Sequence, residues 1–170
     1  MTFGARFAGA IRLQVATYEE IEADRTATGQ AMAVVVVASI ASGLGLMRVF
    51  GPYGILEGTL SALIGWFVWA LLAYAIGVHL LPEPQTRSTL GEMLRTTGFA
   101  AAPGVFRILT IIPLFGALIA IVVAIWMLLA MVIAVRQALD YRSTLRAIGV
   151  CFIGWLVYLA FVLLFAPFAV

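Results

Sequence analysis

The chain has 170 residues, enough for one domain, and 64% of them are apolar, against a usual share just under half. Charged residues make up 11%, less than half the usual share, and the mean hydropathy is +1.13. This excludes a disordered chain, a secreted disulfide scaffold and an ordinary cytosolic enzyme; an exterior this apolar belongs to an integral membrane protein.

All ten basic residues are Arg. They are scattered, with no basic run interleaved with exposed aromatics, so the net charge of +2 carries no nucleic-acid signal and no nucleic-acid partner is expected. The single cysteine, Cys151, forms no internal disulfide, and with one histidine it builds no usual zinc site. No cofactor or metal is expected. The first apolar run starts near Ala31, behind Glu19, Glu20, Glu22 and Asp24. The first span therefore reads as an uncleaved anchor, not a signal peptide.

Residues 1–28 read as an N-terminal amphipathic interfacial segment. Phe3, Phe7, Ile11, Val15 and Tyr18 recur at helical spacing, a stripe that suits a helix lying in the membrane interface or one packed on protein. Thr17 with Glu20 fits a capping box and predicts a separate short helix from Tyr18 to Asp24.

Residues 29–170 read as a five-span membrane domain. The spans are placed at 30–50, 59–81, 96–112, 114–139 and 145–165. A length of about 20 residues covers a hydrocarbon core of about 30 Å at about 1.5 Å per residue. Gly51-Pro52-Tyr53-Gly54 predicts a turn after the first span, and Pro82-Glu83-Pro84 stops the second. The third is the shortest, holds Pro103-Gly104 and Arg107, and is extended by an amphipathic turn over Leu90 to Arg95. Apolar runs this long argue for helices, because barrel strands alternate every second residue.

Orientation follows from the Arg count. With five spans and the N-terminus inside, eight Arg lie inside (Arg6, Arg12, Arg25, Arg87, Arg95, Arg136, Arg142, Arg146) and two outside (Arg48, Arg107). The positive-inside rule then puts the N-terminus in the cytoplasm and the C-terminus outside.

Three stretches carry a resemblance. They are Gly91-Glu92-Met93-Leu94-Arg95-Thr96-Thr97-Gly98-Phe99-Ala100-Ala101-Ala102-Pro103, Pro113-Leu114-Phe115-Gly116 leading to Trp126, and Arg136-Gln137-Ala138-Leu139-Asp140 followed by Arg146-Ala147. Their order and the five-span layout resemble prokaryotic members of the Yip (Ypt-interacting protein) family over about residues 28 to 166. The resemblance implies a membrane location and the family's fold. Eukaryotic members are associated with Rab-type GTPases and carry an Asp-Leu-Tyr-Gly-Pro motif in a long N-terminus. Here the similar string is Gly51-Pro52-Tyr53-Gly54, on the outside and differently arranged, so that role does not carry over.

Candidate partner- or lipid-binding residues are the charges nearest the membrane surfaces. Glu92, Arg95, Arg136 and Asp140 are expected to cluster at the inner rim, where Arg87, Arg142 and Arg146 also lie. The alternative is that each is an interfacial anchor or a snorkelling side chain. Arg107, costly in a span, either snorkels to the outer headgroups, caps carbonyls freed by Pro103, or pairs with Glu57. Small residues at helix-packing positions are Ser39 and Gly43; Gly54, Gly58 and Ala62; Pro103 and Gly104; and Gly116, Ala120 and Ala124. Trp66, Trp69, Trp126, Trp155, Tyr74 and Tyr158 pack on each other or on a bound lipid.

Gly-x-Ser-x-Gly, His-Glu-x-x-His and a phosphate loop with Lys are missing, so no enzymatic activity is expected. The expected role is a non-catalytic scaffold or accessory subunit that binds membrane lipids, other membrane subunits or copies of itself. The alternative is a small homo-oligomeric transporter or channel.

Overall fold

The computed structural model describes residues 1–45, 47, 51 and 53–165. Side chains of residues 53, 54 and 161–165 fall outside it, and so do Arg48, most of the expected 51–54 turn, and the packing role expected of Gly54.

The described residues are all-helical. In chain order they form α1 (Phe3–Ile11), α2 (Val15–Ala23), α3 (Ala27–Gly45), α4 (Tyr53–Ala75) prolonged by a π turn (Ile76–Leu80), α5 (Leu90–Phe99), a 3-10 segment (Ala102–Ile111), α6 (Gly116–Ala138) and α7 (Thr144–Phe165). Three stretches, Ala27–Gly45, Ile55–Leu80 and Gly116–Ala138, are long and apolar enough to cross a membrane. Large apolar side chains face outward along them, among them Ile64 and Phe67 on α4 and Leu118, Ile121 and Ile125 on α6. Buried positions are mostly small, with Ala31, Ala38, Ala70, Ala130 and Ala134 inside. That inversion suits helices whose solvent is lipid, where close backbone approach holds the bundle together.

The expected N-terminal stripe breaks. Leu13 takes a left-handed φ of 58°, and the chain reverses into a hairpin of α1 and α2. The capping box expected from Thr17 and Glu20 does not form, because Gln14 is the N-cap residue of α2 and the Glu20 carboxylate is held by Arg6 at 2.7 and 2.8 Å. The hairpin packs on protein. Tyr18 and Ile21 join one buried cluster with Val34, Phe99 and Ala134, and the Trp126 indole N–H donates to Ile11 O at 2.8 Å.

The third apolar stretch is neither a straight helix nor a simple kink. α5 starts at a capping box, Thr89 with Glu92, ends before Pro103, and gives way to ten residues of 3-10 helix. Pro103 then sits at the start of a new segment, where a missing N–H costs nothing. A 3-10 helix rises about 2 Å per residue, against about 1.5 Å for an α-helix, so α5 and this segment together reach roughly 35 Å.

Close glycine contacts fix the direction of each segment. A Cβ added to Gly98 would lie 2.7 Å from Ala31 Cβ; one on Gly104, 3.1 Å from Ala38 Cβ; one on Gly45, 2.3 Å from Arg107 O. The pairs 31–98, 38–104 and 45–107 rise together, so the 3-10 segment runs parallel to α3 along most of its length. α6 returns antiparallel, since Gly104 meets Met127 and Gly116 meets Thr110. α7 runs antiparallel to α4, since Gly149 faces Leu81 and Gly154 faces Trp69.

These approaches separate the glycines by what replaces them. Gly45→Ala puts a methyl group into a backbone oxygen, whereas nothing lies within 4 Å of a Cβ on Gly58. Overpacking of this kind costs about 1–3 kcal/mol. Thermal unfolding in mild detergent is expected to show Gly45→Ala melting several degrees below the wild type and Gly58→Ala melting with it.

Candidate functional site

The Arg-rich end of the bundle is built on side chains that satisfy backbone groups of neighbouring elements. Arg95, expected at an accessible rim, is only 5% exposed. Its guanidinium donates to Ile21 O at 3.2 Å and to Glu22 O, occupying carbonyls that α2 leaves without intrahelical donors at its C-terminus. Arg95 is therefore withdrawn from partners and lipid.

The expected cluster of Glu92, Arg95, Arg136 and Asp140 does not form, and no ion pair joins these four residues. Glu92 accepts the Thr89 backbone N–H at 2.7 Å. The Arg136 Nε donates to Tyr141 O at 3.2 Å. Asp140 is exposed and closes α6 with a φ of 53°. What does gather is Glu22, Glu92 and Asp140 with Arg87, around a small open cavity. Burial and the neighbouring Asp140 and Glu92 carboxylates push Glu22 up to about 7.

Three features were not read from the sequence. The first is Arg6, 1% exposed, which bridges Glu20 of α2, Asp24 just after it and Gln30 Oε1 of α3, the last at 2.8 Å. Glu20 and Asp24, four apart on one helical face, were its only signal. The Arg6 hydrogen bond holds Glu20 down to about 2. The second is Glu83, whose carboxylate accepts the backbone N–H groups of Arg142 at 3.0 Å and Ser143 at 3.3 Å, in front of α7. Those bonds, led by the one from Arg142, hold it below the usual carboxylate range. Arg146 joins them, 3.5 Å from Glu83 and donating to Pro82 O at 2.6 Å. The third is Tyr141, whose hydroxyl lies 2.9 Å from Gly77 O and 2.7 Å from Leu81 O. Its single proton serves these two carbonyls, one in the π turn and one just after it, one at a time. Arg87, Arg142 and Arg146 remain exposed at this end.

A cavity of 990 Å³ lies between α3, α4, the 3-10 segment, α6 and α7. Its lining combines small residues, including Ser39, Gly43, Gly58 and Ala62, with the aromatics Trp66 and Trp69 of α4 and Trp155 and Tyr158 of α7. Ser39 and Gly43 also form the α3–α4 contact, through Ser39 Oγ to Thr59 Oγ1 at 3.3 Å and Gly43 against Ile55. Gly58 and Ala62 instead line the open space. Ala120 and Ala124 are exposed on α6, and Gly116 meets Thr110 of the preceding 3-10 segment. Trp126 is elsewhere, stacked on Phe106 at 5.3 Å.

Arg107 lines the cavity at the end away from the Arg-rich rim. The expected pair with Glu57 does not form, and no ion pair to Arg107 is present among the described residues. At the other end, the Trp69 indole N–H is buried without an acceptor, whereas that of Trp66 donates to Leu94 O at 3.2 Å.

The family described as the Yip1 domain matches residues 9–165. The chain belongs to the Yip1 domain family. The match begins inside α1, so it takes in the α2 hairpin arm and not only the five apolar stretches. No curated protein and no solved structure matches the chain.

The Glu22 position generates a pH test. A carboxyl raised from 4.5 to about 7 in the fold binds its proton more tightly folded than unfolded, so its contribution is lost as pH rises between those values. Glu22→Gln is expected to raise the melting temperature at pH 8 and leave it unchanged at pH 4.5, measured by thermal unfolding in detergent.

Proposed function

We propose that this Yip1-domain protein crosses a bacterial cytoplasmic membrane five times, with its N-terminus and Arg-rich rim in the cytoplasm and its C-terminus outside. The glycine contacts support this reading, because α3, α4, α5 with its 3-10 segment, α6 and α7 alternate in direction along a common length. The Arg bias supports the orientation.

We propose further that the protein is a non-catalytic accessory subunit that holds a membrane partner. One observation carries this. At the Arg-rich end, Arg87 and Arg142 are exposed and Arg146 is half-committed to Glu83, while the loops bearing them are fixed by Glu83, Tyr141 and the Thr89–Glu92 box. A rigid basic edge on an otherwise apolar bundle suits an acidic protein surface or anionic headgroups. The cavity favours a second reading, a homo-oligomeric transporter.

Native electrophoresis of the detergent-extracted protein with mass spectrometry separates the two. The accessory reading expects a large assembly with a stoichiometric partner, lost when Arg87, Arg142 and Arg146 are together replaced by Glu. A band at monomer or homo-oligomer mass contradicts it, and solute flux in proteoliposomes then tests the second reading.

A further inference from the structure

We propose that the cavity beside Arg107 is a binding site for one anionic phospholipid, which enters sideways between α4 and α7. It rests on the membrane placement proposed above, not on the accessory role. Four observations carry it.

The first is charge. All eight acidic side chains of the chain lie among the described residues, and none pairs with Arg107. Seven of them precede the membrane or sit at the Arg-rich end; only Glu57 is near the other end, and it is exposed and beyond ion-pair distance. A guanidinium in an apolar surrounding needs a counter-charge, and a phosphate matches its planar fork. Among the described residues nothing provides one, and the anionic headgroups of the membrane are a ready source.

The second is size and shape. The volume of 990 Å³ is at the top of the roughly 300–1,000 Å³ range of small-molecule sites. Arg107 is level with Gly45, and Trp66, which lines the inner end, is level with Gly98 and Ala31. Fourteen helical residues separate Ala31 from Gly45, so the slot is roughly 20 Å long, a length suited to acyl chains and not to a compact solute. The third is access. Gly58, Ser61 and Gly65 on α4 and Trp155 and Tyr158 on α7 line the cavity and are exposed, so the cavity is open and not enclosed between these two helices. The slot is open to the bilayer along its side, so a lipid reaches it without crossing an aqueous gate. The fourth is that the wall is built small. A Cβ on Gly58 or Gly65 would meet nothing within 4 Å, so these glycines are not demanded by helix packing inside this chain. Their effect is to keep the slot empty of side chains.

The phosphate then rests on Arg107 near the outer headgroup level, and the acyl chains run inward past Gly58 and Gly65 toward Trp66 and Trp69. This also gives a site for Arg107, a charged side chain that the five-crossing arrangement puts within a span.

The test uses the full chain, checked first for retention in carbonate-washed membranes, and native mass spectrometry after reconstitution with phosphatidylglycerol or phosphatidylcholine. The wild type is expected to retain one phosphatidylglycerol in preference to phosphatidylcholine. Arg107→Gln is expected to lower phosphatidylglycerol retention about tenfold and to abolish the preference. Gly65→Leu, which fills the slot and leaves Arg107 in place, is expected to lose retention of both lipids with an unchanged circular dichroism spectrum. Equal retention of the two lipids by the wild type, or phosphatidylglycerol binding that survives Gly65→Leu, overturns the proposal. Wild-type protein lost in the carbonate wash overturns the membrane placement instead.

Discussion

Buried backbone groups without water are the constraint on which this structure depends. A helix satisfies its own middle but leaves its ends open, and an apolar exterior has no water to close them. Here side chains from distant elements do it. Arg95 closes the end of α2, Tyr141 the π turn after α4, Trp126 the end of α1, and Glu83 the approach to α7. Each of these bonds ties two elements far apart in sequence, so the polar bonds also fix the topology of a bundle whose apolar contacts alone are nearly interchangeable. Trp69 is the exception. Its buried N–H meets no acceptor among the described residues, and it lines the same cavity that Arg107 lines at the other end.

The same constraint explains the third apolar stretch. Seventeen residues as an α-helix reach about 25 Å, short of a hydrocarbon core of about 30 Å. Conversion to a 3-10 helix after Phe99 lengthens the segment without adding residues, and lets Pro103 sit where no donor is needed. Gly98 and Gly104 then bring it against α3 closely enough for the two to run in parallel. A 3-10 run of ten residues is long by usual standards, and it is held by packing on α3 and α6.

Much of the architecture was legible from hydropathy, because apolar runs this long have one regular solution. The helical class, the stop at Pro82 and the membrane character came from composition and punctuation. The polar junctions were not legible. Arg95 looked like a rim charge because one sequence does not show that α2 folds back beneath it. Arg6 looked like the polar side of an interfacial helix, since the left-handed Leu13 that turns the hairpin has no glycine to announce it. Arg95 and Arg136 left the expected cluster with Glu92 and Asp140 for a related reason: spacing shows which residues share a face, not which carbonyls across the bundle lack donors. The small residues divided in a way that spacing cannot reveal. Gly45, Gly98 and Gly104 serve close approach, Gly58 and Gly65 line a space, and Ala120 and Ala124 lie exposed.

The central claim is that α5 and its 3-10 segment together cross the membrane, making five crossings. Single cysteines placed at the two ends of this stretch test it in intact cells, with Cys151 replaced by Ser. Pro84 is exposed before α5, and Leu114 is 96% exposed after the 3-10 segment. An impermeant thiol reagent is expected to label Leu114→Cys from outside and Pro84→Cys only after permeabilisation. Labelling of both from the same side would make the stretch re-entrant and contradict the five-crossing arrangement.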